Sequence, residues 1–403
     1  MVRTSALGTV ALESSVSPND VGAVVIGGDY RGLGVVRSLG RKGIPVWVVT
    51  SEHTLATYSR YCARRLRWPA SDDDRISFLI DLGKQLRGWA VYPTSDEFAG
   101  IIAQHHDELS RYFTMTVAPW EQLEWAFDKR LTYRYAERLG LDVPRTFYPS
   151  SYEELANLKN TYPAILKPAF QRGFNRFVHD KGWIAHNKDE LCRLYKAACE
   201  LVAPEIIMVQ EFIPGGGEAQ FSCAALCNEG RTLAVLTARR ARQFPMDLGR
   251  SSTYVETIQN ESVEGHACTL LRAMRYTGLA EVEVKFDARD GKYRLLDVNP
   301  RVWGWHTVGS RAGVDFPHLL WRMLYGEPLE PFCRGVAGIR WVRMVTDLEA
   351  VARGILGGSL TVREYFRSLH PPLEFAIFAS DDPVPATLEI PVLALLALRR
   401  GGL

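Results

Sequence analysis

Acidic and amide side chains alternate with apolar residues in the stretch EVEVKFDARDGKYRLLDVNPRVWG, which spans residues 281–304. Alternate residues of a β-strand share one face, so Glu281 and Glu283 point the same way. Asp297 and Asn299 do so on the next strand, and the ARDGK segment predicts a hairpin that pairs the two strands. Glu283, Asp297 and Asn299 then converge as oxygen ligands of the kind that Mg²⁺ prefers when it binds with a nucleotide.

Arg301 extends the same pattern, because it follows Asn299 by two residues and shares its face. A guanidinium beside a metal site can neutralise a phosphoryl group during its transfer. The alternative is the solvated outer face of a two-stranded ribbon. The flanking residues argue against that alternative, because they are apolar on both strands: Val282, Val284, Leu295, Leu296 and Val298.

This combination resembles the ATP-grasp superfamily, whose C-terminal lobe carries an acidic residue on one strand and a Glu/Asp-x-Asn-Pro-Arg run on the next. Here those parts are Glu283 and the DVNPR run, in which Asp297 replaces the commoner glutamate. The resemblance covers about residues 21–330. It implies ATP as a cofactor, with Mg²⁺ or Mn²⁺ held by Glu283, Asp297 and Asn299.

Two lysines and a hinge segment match the nucleotide site of that superfamily in the expected order. Lys129, in FDKRLTYRYAERLGLDVP, and Lys167, in AILKPA, match lysines that reach the phosphates. The segment VQEFIPGGGE, residues 209–218, matches the hinge between the lobes. The resemblance assigns adenine binding to the first three of the following residues and ribose binding to the last: Glu211, Phe212, Ile213 and Glu218.

The loop after Lys167 departs from the superfamily pattern. Many relatives have a run of glycines there that folds over the phosphates, whereas AFQRGFNRFVHDKG contains only two glycines. Arg172, Asn175 and Arg176 can still reach phosphate oxygens. The pattern does not predict a backbone cradle for the phosphates.

Most ATP-grasp enzymes activate a carboxylate as an acyl phosphate, which an amine then attacks. Lys129, Lys167 and Arg301 carry the charges that such a phosphoryl transfer requires. Water must also be kept from the acyl phosphate. Trp303 and Trp305 are candidates for the wall that excludes it, with core packing as the alternative. His306, beside them, is also considered as a catalytic base.

An arginine cluster lies in RRARQFPMDLGRSSTYVET, residues 239–257, which we expect to include a basic loop. Arginines beside an ATP site suit the carboxylate of an anionic acceptor, and Arg242 with Ser251 and Ser252 leads the candidates. A solvated loop is the alternative. The arrangement is similar to the carboxylate–amine ligase branch that includes D-aspartate ligase, which joins amino acids, or an amino acid to a larger amine. The expected catalytic residues are therefore Arg301, Arg242 and Lys167.

The resemblance thus implies an ATP-dependent carboxylate–amine ligase that releases ADP and phosphate. Its expected partners are a small-molecule carboxylate and an amine, one of them an amino acid or a cell-envelope precursor. One alternative keeps the fold but changes the acceptor, as in a carboxylase or a phosphotransferase. Another is a nucleotide-binding regulatory protein, which the intact charged residues at the site argue against. The sequence does not name the acid or the amine.

The elements that must position these residues begin with VGAVVIGGDYRGLGVVRSLGRKGIPVWVVT, residues 21–50, which has the pattern of a βαβ unit. Its turn does not match the G-x-G-x-x-G spacing of dinucleotide-binding folds. Asp29 also puts a carboxylate where a pyrophosphate would lie. We therefore expect a Rossmann-like domain without a dinucleotide, as ATP-grasp proteins usually carry. Residues 94–97, after the third predicted strand, are candidates either for substrate contact or for capping a helix.

The predicted fold class combines α/β and α+β parts. We expect an N-terminal tail (1–20), a Rossmann-like pre-ATP-grasp domain (21–116), an ATP-grasp domain (117–330) and a C-terminal extension (331–403). The ATP-grasp domain divides into a small lobe (about 140–208), a hinge (209–218) and a large lobe (219–330).

Composition narrows the class of protein further. The 403 residues include 48 basic and 46 acidic side chains, and a net charge of +2 gives no general attraction to nucleic acid. No run reaches the ~18 apolar residues of a membrane span, and seven cysteines without a CxxC pair fit a reducing compartment. We expect a cytoplasmic protein with no integral membrane segment and no nucleic-acid partner. Dimers are common in this fold, so a homodimer is compatible with the resemblance.

Overall fold

The computed structural model describes residues 21–51, 53–159, 162–170, 177, 182–244 and 251–399. Within these residues the fold is mixed α/β, with three β-sheets, the first of which is parallel. This architecture confirms the predicted fold class. None of the helices in the described ranges combines the length and the apolar character that crossing a bilayer requires.

The first sheet contains five parallel strands: β1 (Ala23–Ile26), β2 (Val46–Thr50), β3 (Cys62–Arg67), β4 (Ala90–Pro93) and β5 (Thr114–Met115). Their order in the sheet is β3–β2–β1–β4–β5. The helices of this region are α1 (Tyr30–Gly40), α2 (Asp72–Gln85), α3 (Asp96–Gln104), α4 (His106–Leu109) and α5 (Trp120–Phe127). The sequence does not predict β3, because its CARRLR run is basic and mostly exposed at the sheet edge.

The turn from β1 to α1 has no room for a larger residue at Gly27. Gly27 has a φ of +114°, and an added Cβ would lie 2.0 Å from Oγ1 of Thr94. Asp29 caps α1, because its carboxylate accepts hydrogen bonds from the amides of Arg31 and Gly32 at 2.9 and 3.3 Å. The carboxylate therefore occupies the helix end where a dinucleotide phosphate would bind.

The second sheet contains four antiparallel strands: β6 (Thr146–Phe147), β7 (Ala164–Pro168), β8 (Trp183–Ala185) and β9 (Ile207–Glu211). Their order is β6–β9–β7–β8. The helices around it are α6 (Lys129–Arg138), α7 (Tyr152–Asn157) and α8 (Lys188–Cys199). Leu166 and Val209 from the strands pack against Leu191 and Tyr195 from α8 in a core of their own.

The third sheet is the largest that the structure describes, with eight strands: β10 (Gln220–Asn228), β11 (Arg231–Phe244), β12 (Ser251–Ile258), β13 (Gly278–Asp287), β14 (Lys292–Asn299), β15 (Cys333–Arg334), β16 (Arg340–Val342) and β17 (Leu373–Phe375). The order is β14–β13–β10–β11–β12–β16–β17, and β15 pairs with β11. Its helices are α9 (Glu261–Ala273), α10 (Val308–Arg311), α11 (Phe316–Leu324), α12 (Met344–Leu356), α13 (Val362–Ser368) and α14 (Val384–Arg399). Strands from residues 331–403 thus extend the sheet that carries β13 and β14. These two strands form the hairpin with Glu281, Glu283, Asp297 and Asn299, which we call the acidic hairpin.

The basic segment after residue 239 is more ordered than the sequence suggests. We expect a loop there, whereas β11 continues to Phe244 and pairs with β12 from Ser251 onward. Strand pairing tolerates this charge because a carboxylate faces each of two arginines. Arg239 bonds to Glu256 across the strands at 3.0 Å, and Arg242 pairs with a carboxylate of α12.

Candidate active site

The acidic hairpin forms in the predicted register. Glu283 lies opposite Asp297 in the β13–β14 pair, and Glu281 lies opposite Asn299. A β-bulge follows directly after Glu283, and such bulges re-aim side chains at the ends of strands. The hairpin therefore presents three carboxylates and one amide on a single face.

Asn299 connects the two glutamates. Its Nδ2 donates to Oε2 of Glu281 at 3.0 Å and to Oε1 of Glu283 at 2.9 Å. Nε1 of Trp305 donates to the other oxygen of Glu281 at 2.7 Å. On its other side, Glu283 forms an ion pair with Arg240, with 3.1 Å between NH2 and Oε2. These side chains hold one another in a network that is almost entirely buried.

The two glutamates are suited to a divalent cation. Burial raises the pKa of Glu281 to about 7, and the nearby charge of Glu283 acts in the same direction. A cation between such carboxylates would remove the like-charge repulsion and favour the ionised form of both. The metal-binding role of Glu283 and Asn299 stays a prediction, and in this structure the amide nitrogen of Asn299, rather than its oxygen, faces the two glutamates. Glu281 was aligned with Glu283 by the strand pattern, but the sequence does not single it out as a ligand.

Asp297 is paired with Lys129 through a direct contact between its Oδ1 and Nζ. Lys129 opens α6, and its backbone amide donates to the carbonyl of Ala169 at the end of β7. The first predicted phosphate lysine is thus brought to the acidic hairpin. Among the described residues, no group of three or more His, Cys, Asp or Glu side chains already has the arrangement of a metal site.

Arg301 is fixed by Asp96 of α3, in the first domain region. Its Nε and NH2 donate to the two oxygens of Asp96, each at 2.8 Å, and NH2 also donates to Oδ1 of Asn299 at 3.0 Å. Ser95 caps the same helix by accepting the amide hydrogen of Phe98. The capping interpretation of residues 94–97 is therefore confirmed for Ser95, while substrate contact stays a prediction for Asp96, which lines the cavity.

A cavity of about 430 Å³ opens over this network. Its lining comes from the loop after β1, from β11, from the acidic hairpin and from helix α14. Arg31, Arg240 and Arg343 supply positive charge, and Val392 and Leu393 of α14 supply an apolar wall. The site is therefore a mixed-charge pocket in which acids and bases face a common space.

Lys167 lies on β7 of the second sheet. Its Nζ donates to Oε1 of Gln210 at 3.1 Å, and the amide nitrogen of Gln210 donates to Oγ1 of Thr146 at 2.9 Å. The second predicted phosphate lysine, on β7, is thus linked by a hydrogen bond to β9 and, through Gln210, to β6. Arg172, Asn175 and Arg176, from the loop that follows, lie outside the described residues.

The predicted hinge leaves the second sheet at Glu211. Its carboxylate accepts the amide hydrogen of Arg145 at 2.9 Å and is paired with Arg289 at 3.4 Å. Ile213 is buried, and the amide of Phe212 donates to the carbonyl of Pro163 at 3.2 Å. The hinge is therefore tied both to the second sheet and to the turn of the acidic hairpin.

Glu218 lies a few residues further, where its carboxylate accepts the amide hydrogen of Gly216 at 2.8 Å. Lys285 of β13 extends toward the same segment, with its Nζ 5.2 Å from the centre of the Phe212 ring. Burial lowers the pKa of Lys285, while Glu218 opposes that shift. The sequence did not identify Lys285 as a neighbour of the hinge. The alternation of polar and apolar residues in β13 does not distinguish this lysine from an exposed strand residue.

The structure does not bring Arg242 into the cavity. Its guanidinium donates to both oxygens of Asp347 on α12 at 2.8 Å and to Oγ of Ser368 at 3.0 Å. It also lies 4.0 Å from the centre of the Tyr254 ring. Arg240, two residues earlier, lines the cavity instead, as does Ser252. Of these two arginines, Arg240 and not Arg242 therefore faces the cavity, so the expected position of Arg242 is wrong.

The two tryptophans after β14 differ in their roles. Trp303 is fully buried, with its ring 4.9 Å from that of Phe316, so it belongs to the core. Trp305 lines the cavity and bonds to Glu281. His306 does not line this cavity, and its Nε2 lies 3.0 Å from the carbonyl of Arg31. Burial lowers the pKa of His306 to about 3, so it is not suited to serve as a base.

Similarity to known proteins agrees with this geometry. Residues 203–345 match a family described as "ATP-grasp in the biosynthetic pathway with Ter operon". The chain is also 27% identical to D-aspartate ligase from Enterococcus faecium over 221 residues, which are 51% of each chain. The chain thus spans about half the length of that relative.

Solved structures share the fold at low sequence identity. The biotin carboxylase domain of 2-oxoglutarate carboxylase from Hydrogenobacter thermophilus, a dimer in complex with MgADP, ADP and bicarbonate, has a TM-score of 0.63 at 16% identity, covering 77% of this chain and 71% of that one. L-amino acid ligase from Bacillus licheniformis has a TM-score of 0.58 at 15% identity, covering 75% and 74%. The chain therefore contains an ATP-grasp domain and is a homologue of D-aspartate ligase.

Proposed function

We propose that this protein is an ATP- and Mg²⁺-dependent ligase that converts a carboxylate into an acyl phosphate and joins it to an amine. The supporting observation is one cavity faced by the carboxylates of Glu283 and Asp297, the amide of Asn299 and the guanidinium of Arg301. Ligands for a nucleotide-bound metal and a cation for the transferred phosphoryl group thus lie together. The homology to D-aspartate ligase supports a carboxylate and an amine as substrates.

The nucleotide is expected to bind between the second sheet and the acidic hairpin. Lys129 and Lys167 bind its phosphates, and its adenosine is held at the hinge by four residues: Glu211, Phe212, Ile213 and Glu218. Phosphate oxygens would compete with Asp297 for Lys129. Asp297 would then be available, with Glu283 and Asn299, to hold the metal. The bound Mg²⁺ supplies charge neutralisation at the phosphoryl oxygens.

Arg301 and Arg240 are the cations that we assign to the reacting groups. Asp96 holds Arg301 in one orientation through two hydrogen bonds, so the guanidinium is fixed before substrate arrives. Arg240 lies beside Glu283, where it can bind the carboxylate that is activated. Lys167, on the second sheet, adds a further positive charge for the phosphates. Trp305 covers Glu281 and helps to keep water from this part of the cavity.

The proposed partners of the protein are small molecules, and a cytoplasmic location and a homodimer stay predictions. The biotin carboxylase domain with a similar fold was solved as a dimer. That likeness concerns the fold, so sedimentation of the purified protein has to establish its oligomeric state.

The test is the release of ADP and phosphate from Mg-ATP across a panel of amino acids, offered singly and in pairs, with AMP resolved from ADP. The proposal expects ADP only when an acid and an amine are both present. ADP formed with bicarbonate in place of the acid would instead support a carboxylase. If ADP forms with one substrate alone, and that substrate is recovered as a stable phosphorylated product, the result would support a phosphotransferase.

A pair of substitutions on the same hairpin makes this test specific to the site. Asp297→Asn should lower kcat on the order of 100-fold or more, because it removes a charged metal ligand. Asp290→Asn is the matched control, because Asp290 lies in the hairpin turn and pairs with Arg294 at 2.6 Å. Full activity in Asp297→Asn would contradict the assigned role of Asp297.

A further inference from the structure

The turn between α12 and α13 carries a dense group of exposed apolar side chains. Seventeen large hydrophobic side chains are exposed among the described residues. Five of them lie within residues 348–366: Leu348, Ile355, Leu356, Val362 and Phe366. Single exposed apolar residues are ordinary, whereas a group of them marks a contact surface. We call the four that surround the turn, Ile355, Leu356, Val362 and Phe366, the apolar tip.

The spacing of these residues places them on the outer faces of the two helices. Leu348, Ile355 and Leu356 occupy positions i, i+7 and i+8 of α12. Val362 and Phe366 occupy positions i and i+4 of α13. Where a helix meets water, the residues of such a face are normally polar. The two helices therefore present apolar faces that the described part of the chain does not cover.

The same helices are fixed to the body of the molecule. The guanidinium of Arg242 donates to both oxygens of Asp347 on α12 at 2.8 Å and to Oγ of Ser368 on α13 at 3.0 Å. After α12, the amide of Ser359 donates to the carbonyl of Gly354 at 2.9 Å. The exposure of the apolar tip is therefore a property of an ordered helical hairpin and not of a frayed helix end.

The apolar tip protrudes from the surface instead of lining a groove. Leu356 is 89% exposed and Phe366 is 63% exposed. A Cβ added at Gly358, in the turn, would have no atom within 4 Å. A stable protein–protein interface buries about 800 Å² on each partner and needs a closely fitting surface, which a convex tip of four side chains does not supply. A fluid lipid surface needs no such fit.

Arginines border the apolar tip, whereas the acids near it are engaged within the protein. Arg363 and Arg367 are exposed on α13, and each directly follows a residue of the tip. The carboxylate of Glu364 caps the start of its own helix, and Glu349 binds Arg353 at 2.8 Å. Guanidinium groups bind phosphate oxygens through paired hydrogen bonds. The border of the tip therefore offers positive charge to an anionic surface.

We propose that the α12–α13 hairpin binds the surface of an anionic membrane, with the apolar tip inserted among the lipids and Arg363 and Arg367 on the headgroup phosphates. Apolar insertion combined with basic contacts to acidic lipids is how interfacial helices bind. The contact is peripheral, because the side chains enter the headgroup region and neither helix crosses the bilayer. It goes beyond the proposed ligase activity and does not rest on it.

The test is flotation of the purified protein with vesicles in a density gradient, without ATP or substrates. Vesicles of phosphatidylcholine are compared with vesicles of phosphatidylcholine and phosphatidylglycerol in equal parts. We expect the wild-type protein to float with the mixed vesicles, and to float less as the salt concentration rises. Leu356→Ser combined with Phe366→Ser should lower the partition coefficient about tenfold or more. Arg363→Gln combined with Arg367→Gln should lower it about tenfold on the mixed vesicles and less on phosphatidylcholine.

Matched controls lie elsewhere on the surface. Leu201→Ser changes an apolar side chain that is 41% exposed after α8. Arg193→Gln combined with Arg275→Gln removes two arginines that are 74% and 76% exposed, on α8 and after α9. Both controls should float as the wild-type protein does, and thermal melting checks that every variant is folded.

The inference is overturned if the wild-type protein does not float with the mixed vesicles. It is equally overturned if the variant with both tip substitutions floats like the wild-type protein, or if Leu395→Ser on α14 abolishes flotation while the tip variant keeps it. Sedimentation without vesicles tests a second copy as the occupant. A wild-type dimer that becomes a monomer in the tip variant would assign the tip to contact between copies of this chain and would overturn the membrane contact.

Flotation and turnover are measured separately, so the two proposals can fail separately. Flotation that requires the apolar tip, without ADP formation in any substrate pairing, would support the membrane contact and contradict the ligase. ADP formation by a protein that does not float would support the ligase and contradict the membrane contact.

Discussion

At the scale of single residues, strand alternation predicted the acidic hairpin well. A period of two fixes which side chains share a face, and the ARDGK turn fixes the register, so Glu283 lies opposite Asp297 as expected. The pairing of Asp297 with Lys129 could not be predicted in the same way. These two residues meet only because α6 packs across β14, and that contact depends on tertiary structure.

His306 shows why a residue type is a weak guide to chemistry. Its ring is buried, with Nε2 on the carbonyl of Arg31 and no partner for Nδ1 among the described residues. Gly34 packs so closely that an added Cβ would lie 2.4 Å from the imidazole. The sequence suggested a catalytic base, whereas the surroundings favour a neutral core histidine.

This environment predicts a pH dependence of stability. Burial, reinforced by Arg31, lowers the pKa of His306 to about 3, against 6.5 in the unfolded chain. Between these values the unfolded state binds a proton that the native state does not, so the stability contributed by His306 falls as the pH drops below 6.5. The loss is about 2 kcal/mol at pH 5.

Urea denaturation at pH 8 and pH 5 measures this effect. His306→Gln should lose less stability between the two pH values than the wild-type protein does, because glutamine does not titrate. His105→Gln, at a half-exposed histidine, serves as the control. An equal loss in the wild-type protein and in His306→Gln would show that His306 is not responsible.

At the scale of elements, the arginine run after residue 239 carried the main error of the sequence analysis. Composition alone indicated a basic loop, yet the arginines belong to β11, whose pairing with β12 shifts register between Arg239 and Arg242. Because of this irregularity, Arg240 and Arg242 have different surroundings. Arg240 lines the cavity, whereas Arg242 pairs with Asp347. A sequence pattern cannot locate such a register shift, because the partner strand and α12 decide it.

Arg242 should therefore matter for stability rather than for substrate binding. Asp347 is fully buried and also accepts a hydrogen bond from Thr253 at 2.9 Å, so removing Arg242 leaves a buried charge uncompensated. Arg242→Met should lower the free energy of unfolding by about 3–5 kcal/mol. A double variant, Arg242→Met with Asp347→Leu, should recover part of that loss.

Chemical denaturation and the KM for the carboxylate substrate distinguish the two roles of Arg242. We expect the folded Arg242→Met protein to keep its KM within about threefold, since the side chain does not reach the cavity. A stable variant with a KM raised tenfold or more would restore the original interpretation of Arg242 as the acceptor arginine.

At the scale of the whole molecule, hydrogen bonds join α1, near the start of the described chain, to a segment about 340 residues later. Arg37 of α1 donates to the side chain of Asp382 at 2.9 Å and to the carbonyls of Ile377 and Asp382 at 2.6 Å. Ser59 and the amide of Arg60 also bind the Asp382 carboxylate. The sequence could not indicate these partners of Asp382, which lie more than 300 residues away.

Two neighbouring ion pairs predict different effects on stability. Asp382→Ala should lower the free energy of unfolding by about 3–5 kcal/mol, because it leaves the buried Arg37 without its charge partner. Arg41→Ala is the matched control, because it removes a pair with Asp381 that is more than a third exposed. That change should cost under about 1 kcal/mol.

Thermal melting and limited proteolysis check this difference. Asp382→Ala should expose the segment around α14 to cleavage, whereas Arg41→Ala should leave it protected. Equal protection of the C-terminal segment in the two variants would show that Asp382 does not anchor it.

The formation of an acyl phosphate can be measured directly by isotope transfer. The carboxylate substrate is labelled with ¹⁸O in both oxygens, and phosphate released from unlabelled Mg-ATP is analysed by mass spectrometry. The oxygen that attacks the γ-phosphorus stays with phosphate when the amine displaces it, so we predict one ¹⁸O atom in each phosphate formed. Unlabelled phosphate at full turnover would contradict carboxylate activation by this site.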